Sequence, residues 1–301
     1  MPPAVKVSDI SAFYKANTRA ENDKSNKVRE GVLTIINDIT HPFFNDNEFG
    51  SKWVKLRFEF IKWLKANIRP DFTEFALNHK GGLRNRIDFI LTLTISDGTS
   101  QTEKLEFKFN SVPQFANEFD KQIWTDKTLA EFWWDSGYLD KIIALYPQPL
   151  KFPKPTRDIY LKRCHILMTS KSPDSFFKQF YDFDHNKENF QAQYDAKSKL
   201  SEEGIRDFLS THGNTFDVPK LYSKLQKSQL NKKYFIWKPL SEIFEFDQIT
   251  DSELAPSAIK TVTKNSVVLT AGPSELHCLL RWKNSLGIAC PAWQIKLIRP
   301  T

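Results

Sequence analysis

An α+β fold is what this sequence predicts, on three observations. Apolar residues recur at intervals of three and four through Glu48 to Ile68. They alternate every second residue in Arg86 to Ile95 and again in Leu105 to Phe109. A mainly helical stretch then separates these strands from a β-rich tail.

The elements follow in order. Residues 1 to about 30 read as an irregular or helical start that ends in the polar tract Arg19 to Arg29, and Val28 to Asp38 has helical spacing. In the helix Glu48 to Ile68, Trp53, Leu56, Phe60, Trp63 and Leu64 form one apolar face, and Arg69-Pro70 ends it. Phe72 to Asn78 is a first strand. Arg86 to Ile95 and Leu105 to Phe109 are joined through the turn dipeptide Asp97-Gly98. Pro113 to Asp120 opens a helix, and Lys127 to Tyr146 continues with bulky residues such as Trp133 and Trp134. Gln148 to Thr156, with three prolines, is a stiff connector.

Residues 156 to 230 are mainly helical. Ser172-Pro173-Asp174 and Ser201-Glu202-Glu203 mark helix starts, and Gly213 marks an end. Lys233 to Lys238 is a strand. Residues 267–271, 276–282 and 289–298 form a C-terminal β hairpin or meander, with a turn at 284–287. The expected segments are 1–47, helical or irregular; 48–125, the core; 126–230, a helical insertion; and 231–301, a late core strand with the C-terminal β segment.

Bulk composition narrows the function classes. With 301 residues the chain can bury a substantial core. It has 25 Phe, 8 Trp and 8 Tyr against 10 Gly, which suits aromatic cores better than a glycine-loop nucleotide site. No Walker A loop, G-x-G-x-x-G or G-x-S-x-G is present. For Trp133, Trp134, Trp282 and Trp293, core packing is a stronger expectation than base stacking. A net charge of +7 and a pI near 9.1 favour a polyanionic partner. Three cysteines without metal-site spacing point away from a disulfide framework or a zinc site. No apolar segment has the length of a membrane span or the character of a signal peptide. A soluble intracellular protein, in a microbe or a virus-infected cell, is therefore expected.

The chemistry is concentrated between Leu83 and Asn110. Asp88 stands near the start of one strand, and Glu106 and Lys108 stand on the next. Alternation puts Glu106 and Lys108 on one face, opposite Leu105, Phe107 and Phe109. Antiparallel pairing through the turn brings Asp88 toward Glu106. Two carboxylates and a lysine on a rigid sheet make a site for a hard cation with a cationic neighbour, which suits phosphodiester hydrolysis. Lys80, Arg84 and Arg86 surround Gly81-Gly82 as candidate phosphate contacts. Asn110 and Gln114 follow the second strand, within reach of substrate but also suited to caps or turns.

An Asp followed across a turn by Glu-x-Lys, with a helix before and a helix after, resembles the PD-(D/E)xK nuclease superfamily. In layout it is most similar to type II restriction endonucleases. The resemblance covers roughly residues 48 to 125, with Tyr234 to Trp237 as a later core strand. It implies an α/β/α core with a central mixed sheet flanked by helices. Asp88 would be the metal-binding Asp, Glu106 the second acidic ligand and Lys108 the lysine. Ile87 stands where the family has proline. Pro70-Asp71 is the second-ranked pair, since it sits just after a helix end. The family's helix carboxylate maps best to Glu59, with Glu48 in reserve; the plainer role for Glu59 is a pair with Lys55 or Lys62.

The resemblance further implies Mg²⁺, with Mn²⁺ able to replace it, and a sequence-specific endodeoxyribonuclease acting on double-stranded DNA. A homodimer on a palindromic site and a methyltransferase on a separate chain would accompany it. Repair, recombination or RNA nucleases of the same fold, and a non-catalytic nucleic-acid-binding module, are the other readings.

Overall fold

A computed structural model describes residues 4–15, 22–81, 87–111, 114–117, 124–284 and 286–300. It is α+β. After a 3-10 helix at Val7–Phe13 come α1 (Asn22–Ile35), a second 3-10 turn at Pro42–Asn45, and α2 (Gly50–Asn67). Strands β1 (Phe72–His79), β2 (Phe89–Ile95), β3 (Ser100–Phe109) and β4 (Gln114–Asn117) follow. The helical stretch comprises α3 (Leu129–Asp135), α4 (Tyr138–Ile143), α5 (Arg157–Arg163), α6 (Phe176–His185), α7 (Lys187–His212) and α8 (Val218–Gln229). The chain ends with β5 (Lys233–Lys238), β6 (Ile243–Gln248), α9 (Asp251–Leu254), β7 (Pro256–Val262), β8 (Ser266–Ala271), β9 (Ser274–Asn284) and β10 (Ala289–Ile298). Among the described residues, no helix is long and apolar enough to cross a membrane.

Two compact units share the chain. The first comprises residues 1–113 and 226–250, and the second residues 114–225 and 251–301. Strands β5 and β6 return late in the chain to complete the first unit's sheet.

The first unit is built on a mixed sheet of order β1-β2-β3-β5-β6, in which β3 and β5 run parallel and the other neighbours antiparallel. Its core face carries Leu77, Phe89, Leu91, Leu93, Leu105, Phe107, Phe235 and Trp237. These pack with the α2 face made by Trp53, Leu56, Phe60, Trp63 and Leu64, with Val32 and Leu33 of α1 and with Ile36 just past its end. Strand β3 begins five residues earlier than its apolar alternation suggests, because Ser100 to Lys104 pair with β2 while facing mostly water. Gly98, at φ +84°, makes the turn that joins β2 to β3 possible, and the Asp97 carboxylate accepts from the Thr99 N–H at 2.8 Å.

Strand β1 lies at the edge of that sheet, where backbone groups need other partners. The Asn37 amide supplies them: Oδ1 accepts from Leu77 N at 2.8 Å and Nδ2 donates to Leu77 O at 3.0 Å. Arg29, within α1, ties that helix to the 3-10 segment Val7–Phe13. Its Nε donates to Ala12 O at 2.7 Å, and its guanidinium lies 3.4 Å from the centre of the Phe109 ring. Burial lowers that guanidinium's pKa to about 10.

The second unit contains an antiparallel sheet of order β4-β10-β9-β8-β7. Two local expectations fail here. Residues 114–117 are not helical. They pair with Trp293 to Lys296 along the edge of β10, and that ladder overrides the local helix-start signal. Ser201-Glu202-Glu203 does not start a helix but lies inside α7, which runs through Gly204. A Cβ at Gly204 would stand 2.2 Å from the Trp133 ring, so this glycine permits close packing rather than a break. Trp133, Trp282 and Trp293 are buried, as core packing requires.

Candidate active site

The start of β2 and the C-terminal half of β3 place the charged residues. Register runs Phe89 to Leu105, so Asp88 stands beside Glu106 one step further on. Asp88 is pinned through its backbone: its N–H donates to Leu105 O at 3.2 Å, and its carbonyl accepts from Lys80 N at 2.8 Å and Gly81 N at 3.2 Å. Its carboxylate Oδ2 accepts from Phe107 N at 2.9 Å. On the same face, Lys108 Nζ donates to Glu106 Oε1 at 2.7 Å and lies 6.0 Å from the centre of the Tyr234 ring. The side chains of Glu106 and Lys108 are 13% and 18% exposed, open enough for a ligand yet dry enough to strengthen electrostatics.

Strand β5 completes the face. Its register puts Tyr234 beside Glu106 and Phe235 beside Phe107. Lys232, in the turn before β5, donates from Nζ to Glu106 Oε2 at 3.3 Å. Thus Glu106 is held by one ammonium group on each oxygen.

A third carboxylate approaches from α1. Glu30 Oε2 lies 2.8 Å from His79 Nε2, at the end of β1, and its charge acts on both Asp88 and Lys108. Burial raises the Asp88 pKa, and repulsion from Glu106 and Glu30 adds to it. The Lys108 ammonium and the Phe107 N–H oppose the shift, and the carboxyl ends at about 7. Burial lowers the Lys108 pKa, but the attraction of Glu106 and Asp88 outweighs it and the net shift is upward. Lys232 moves the other way, because burial and repulsion from Lys108 exceed its attraction to Glu106 and Asp88.

A carboxylate whose pKa is raised on folding makes the native state bind more protons than the unfolded chain. Asp88 therefore leaves stability intact below about pH 4 and costs stability as pH rises toward 7. Asp88→Asn, which keeps an acceptor for Phe107 N, is expected to stabilise the metal-free protein by on the order of 2 kcal/mol at pH 8. The gain vanishes near pH 4. Thermal denaturation in EDTA across this range measures it.

The other sequence-predicted residues are placed less centrally. Glu59 is not brought to Asp88. It lies on α2, 3.7 Å from Lys62, and its charge acts on Tyr14, because the face of α2 that meets the sheet is aromatic. Glu48 is exposed ahead of α2, and Asp71 is exposed and ion-paired with Arg69 at 2.6 Å, so neither joins the cluster. Lys80 is exposed beside Asp88. Arg84 and Arg86 lie outside the described residues. Asn110, at φ +48°, donates its N–H to Trp237 O at 2.9 Å and makes the turn after β3. Gln114 is removed to the second unit's sheet, opposite Lys296.

Glu30 and Lys232 join the cluster without a signature in the sequence, and His79, a lone histidine for which a structural role is the plainer expectation, is the partner of Glu30. Glu30 follows a polar tract with no site signature. Lys232 precedes a readable strand, but only the β3–β5 pairing shows what it meets.

The donors suit a hard divalent cation. Among the described residues no group of three His, Cys, Asp or Glu side chains forms a ready-made cage. Magnesium does not require one, since one or two carboxylates commonly hold it while water and substrate phosphate complete the shell. Asp88 and Glu106 are the two carboxylates that could hold such an ion, and their mutual repulsion is what a cation would relieve.

The chain matches no known family profile and no curated protein. Among solved structures, that of restriction endonuclease MspI with its cognate DNA aligns over 96% of this chain and 97% of that one. The identity is 10% and the TM-score 0.30.

Proposed function

We propose that this protein is a divalent-cation-dependent endodeoxyribonuclease of the PD-(D/E)xK type, with its reaction centre on the first unit's sheet. The observation that carries the reading is the meeting of Asp88 with Glu106 on adjacent strands, with Lys108 bonded to Glu106. A net charge of +7 supports a polyanionic substrate.

In this reading Asp88 and Glu106 hold Mg²⁺, or Mn²⁺ in its place. The ion supplies a more acidic bound water and stabilises charge on the phosphoryl oxygens. Lys108 contributes a fixed positive charge beside the reacting phosphate and orients the attacking water. Glu30, rather than Glu59, is the helix carboxylate that supports the pair, held by His79. Lys80, Arg84 and Arg86 contact flanking phosphates. Restriction-type specificity, a two-fold dimer on a palindromic site and a separate methyltransferase are the finer form of this reading.

Supercoiled plasmid incubated with Mg²⁺, Mn²⁺, Ca²⁺ or EDTA tests it. Cleavage with Mg²⁺ or Mn²⁺ and none in EDTA is expected. Discrete bands mean sequence recognition, and a smear means cleavage without it. Preference for single strands, ends or RNA moves the assignment to a repair or RNA nuclease. Tight, salt-sensitive binding without cleavage overturns the enzymatic reading in favour of a binding module.

A further inference from the structure

Glu106 is gripped from two strands. The Glu-x-Lys spacing of β3 accounts for Lys108 at 2.7 Å from Oε1. It does not account for Lys232, which reaches Oε2 at 3.3 Å from 126 residues further along the chain. The Lys232 side chain is only 7% exposed. Keeping a primary ammonium so far from water costs free energy that a solvated surface lysine would not incur.

The local backbone is built to hold that lysine in place. Lys232 N donates to Gln229 O at 3.2 Å, closing the turn between α8 and β5. The side chain of the same Gln229 accepts from Tyr234 Oη at 2.7 Å. Gln229 thus bonds to the residues at positions 232 and 234, and both it and Tyr234 are buried. Tyr234 is in turn the register partner of Glu106. The turn, the strand and the carboxylate form one connected, buried polar arrangement of the sort that preorganises a reactive group.

We propose that Lys232 is a positioning residue for phosphodiester hydrolysis. It is the second of two ammonium groups that fix the Glu106 carboxylate, and it limits how tightly the site takes a divalent cation. The inference rests on the nuclease reading above and adds a residue to it. Two effects of opposite sign follow. An ammonium against Glu106 repels an incoming cation, so removing it tightens cation binding. The same ammonium holds Glu106 in one orientation and adds positive charge beside the phosphate, so removing it slows cleavage. A lysine that served only the fold would, when replaced, weaken both together and lower the melting temperature.

The test uses full-length wild type, Lys232→Met and Lys232→Arg. Mn²⁺ binding is followed by titration calorimetry without DNA, and plasmid cleavage is followed in Mg²⁺. Lys232→Met is expected to bind Mn²⁺ roughly 3- to 10-fold more tightly. Its kcat should fall roughly 10- to 100-fold with little change in KM. Lys232→Arg should recover most of the rate. If Lys232→Met folds poorly, Lys232→Gln carries the same two expectations. Cleavage by the uncharged variant at the wild-type rate overturns the proposal, as does weaker or unchanged Mn²⁺ binding. Wild type that cleaves neither with a divalent cation nor without one overturns the nuclease reading itself. Wild type that cleaves normally beside an equally active variant overturns only the role of Lys232.

Discussion

Glu106→Gln removes plasmid cleavage, with an expected fall in rate of about 10³-fold, the scale on which loss of a preorganised electrostatic partner is felt. Gln is nearly the same shape as Glu, so the sheet remains. What disappears is the negative charge that faces Lys108 at 2.7 Å and Lys232 at 3.3 Å. Asp88→Asn produces a similar loss of cleavage by removing the other ligand of the proposed cation. The two variants separate in stability. Glu106 is attracted to two partly desolvated ammonium groups, so Glu106→Gln costs about 1–3 kcal/mol by leaving both without their anion. Asp88 is the carboxylate that burial and its neighbours push toward the neutral form, so Asp88→Asn is stabilising at pH 8. Equal loss of cleavage with opposite shifts in melting temperature is the signature of this arrangement. If Glu106→Gln keeps wild-type cleavage, Glu106 is not in the reaction centre.

The parts of this site that were readable in the sequence are those set by local rules. Alternation in Phe89 to Ile95 and Leu105 to Phe109 fixed which faces meet the core. The Asp97-Gly98 turn fixed the pairing that puts Asp88 beside Glu106. The apolar stripe of α2 likewise identified a helix packed on the sheet. The rest depended on contacts between residues far apart in the chain. Glu59 was the natural choice for a helix carboxylate because α2 directly precedes the strands. Yet α1, tied to β1 by Asn37 two residues past its end and to the 3-10 segment by Arg29, is the helix that carries a carboxylate toward Asp88. Nothing in the tract before Val32 signals that role. Lys232 is one of two adjacent lysines ahead of an apolar strand, and its meaning appears only once β5 lies parallel to β3. Gln114 shows the converse. It follows the site closely in sequence, yet its strand joins another sheet.

The largest loss of stability is expected from Phe235→Ala. Phe235 is fully buried, with ring centres 5.2 Å from Phe107, 5.6 Å from both Phe60 and Trp63, 5.8 Å from Phe244 and 5.9 Å from Phe89. It thereby joins α2 to four strands of the first sheet. Truncation leaves a cavity between aromatic rings, which cannot collapse into it as easily as flexible aliphatic chains, and about 3–5 kcal/mol is expected. Phe246→Ala, at a ring 38% exposed, is the control and should cost under about 1 kcal/mol. Urea denaturation followed by far-ultraviolet circular dichroism compares the two, and a midpoint shift for Phe235→Ala no greater than that of the control removes it from the core's centre. The consequence extends to the site, because Phe107 and Phe235 are register partners immediately beside the pair Glu106 and Tyr234. Their rings hold β3 against β5 from the core face, while Glu106, Lys108 and Lys232 meet on the other. A loosened ladder displaces Lys232 relative to Glu106, and misplacement by about 1 Å can cost on the order of 10²-fold in rate. Phe235→Ala should therefore cleave more slowly even at temperatures where it is fully folded, whereas Phe246→Ala should not.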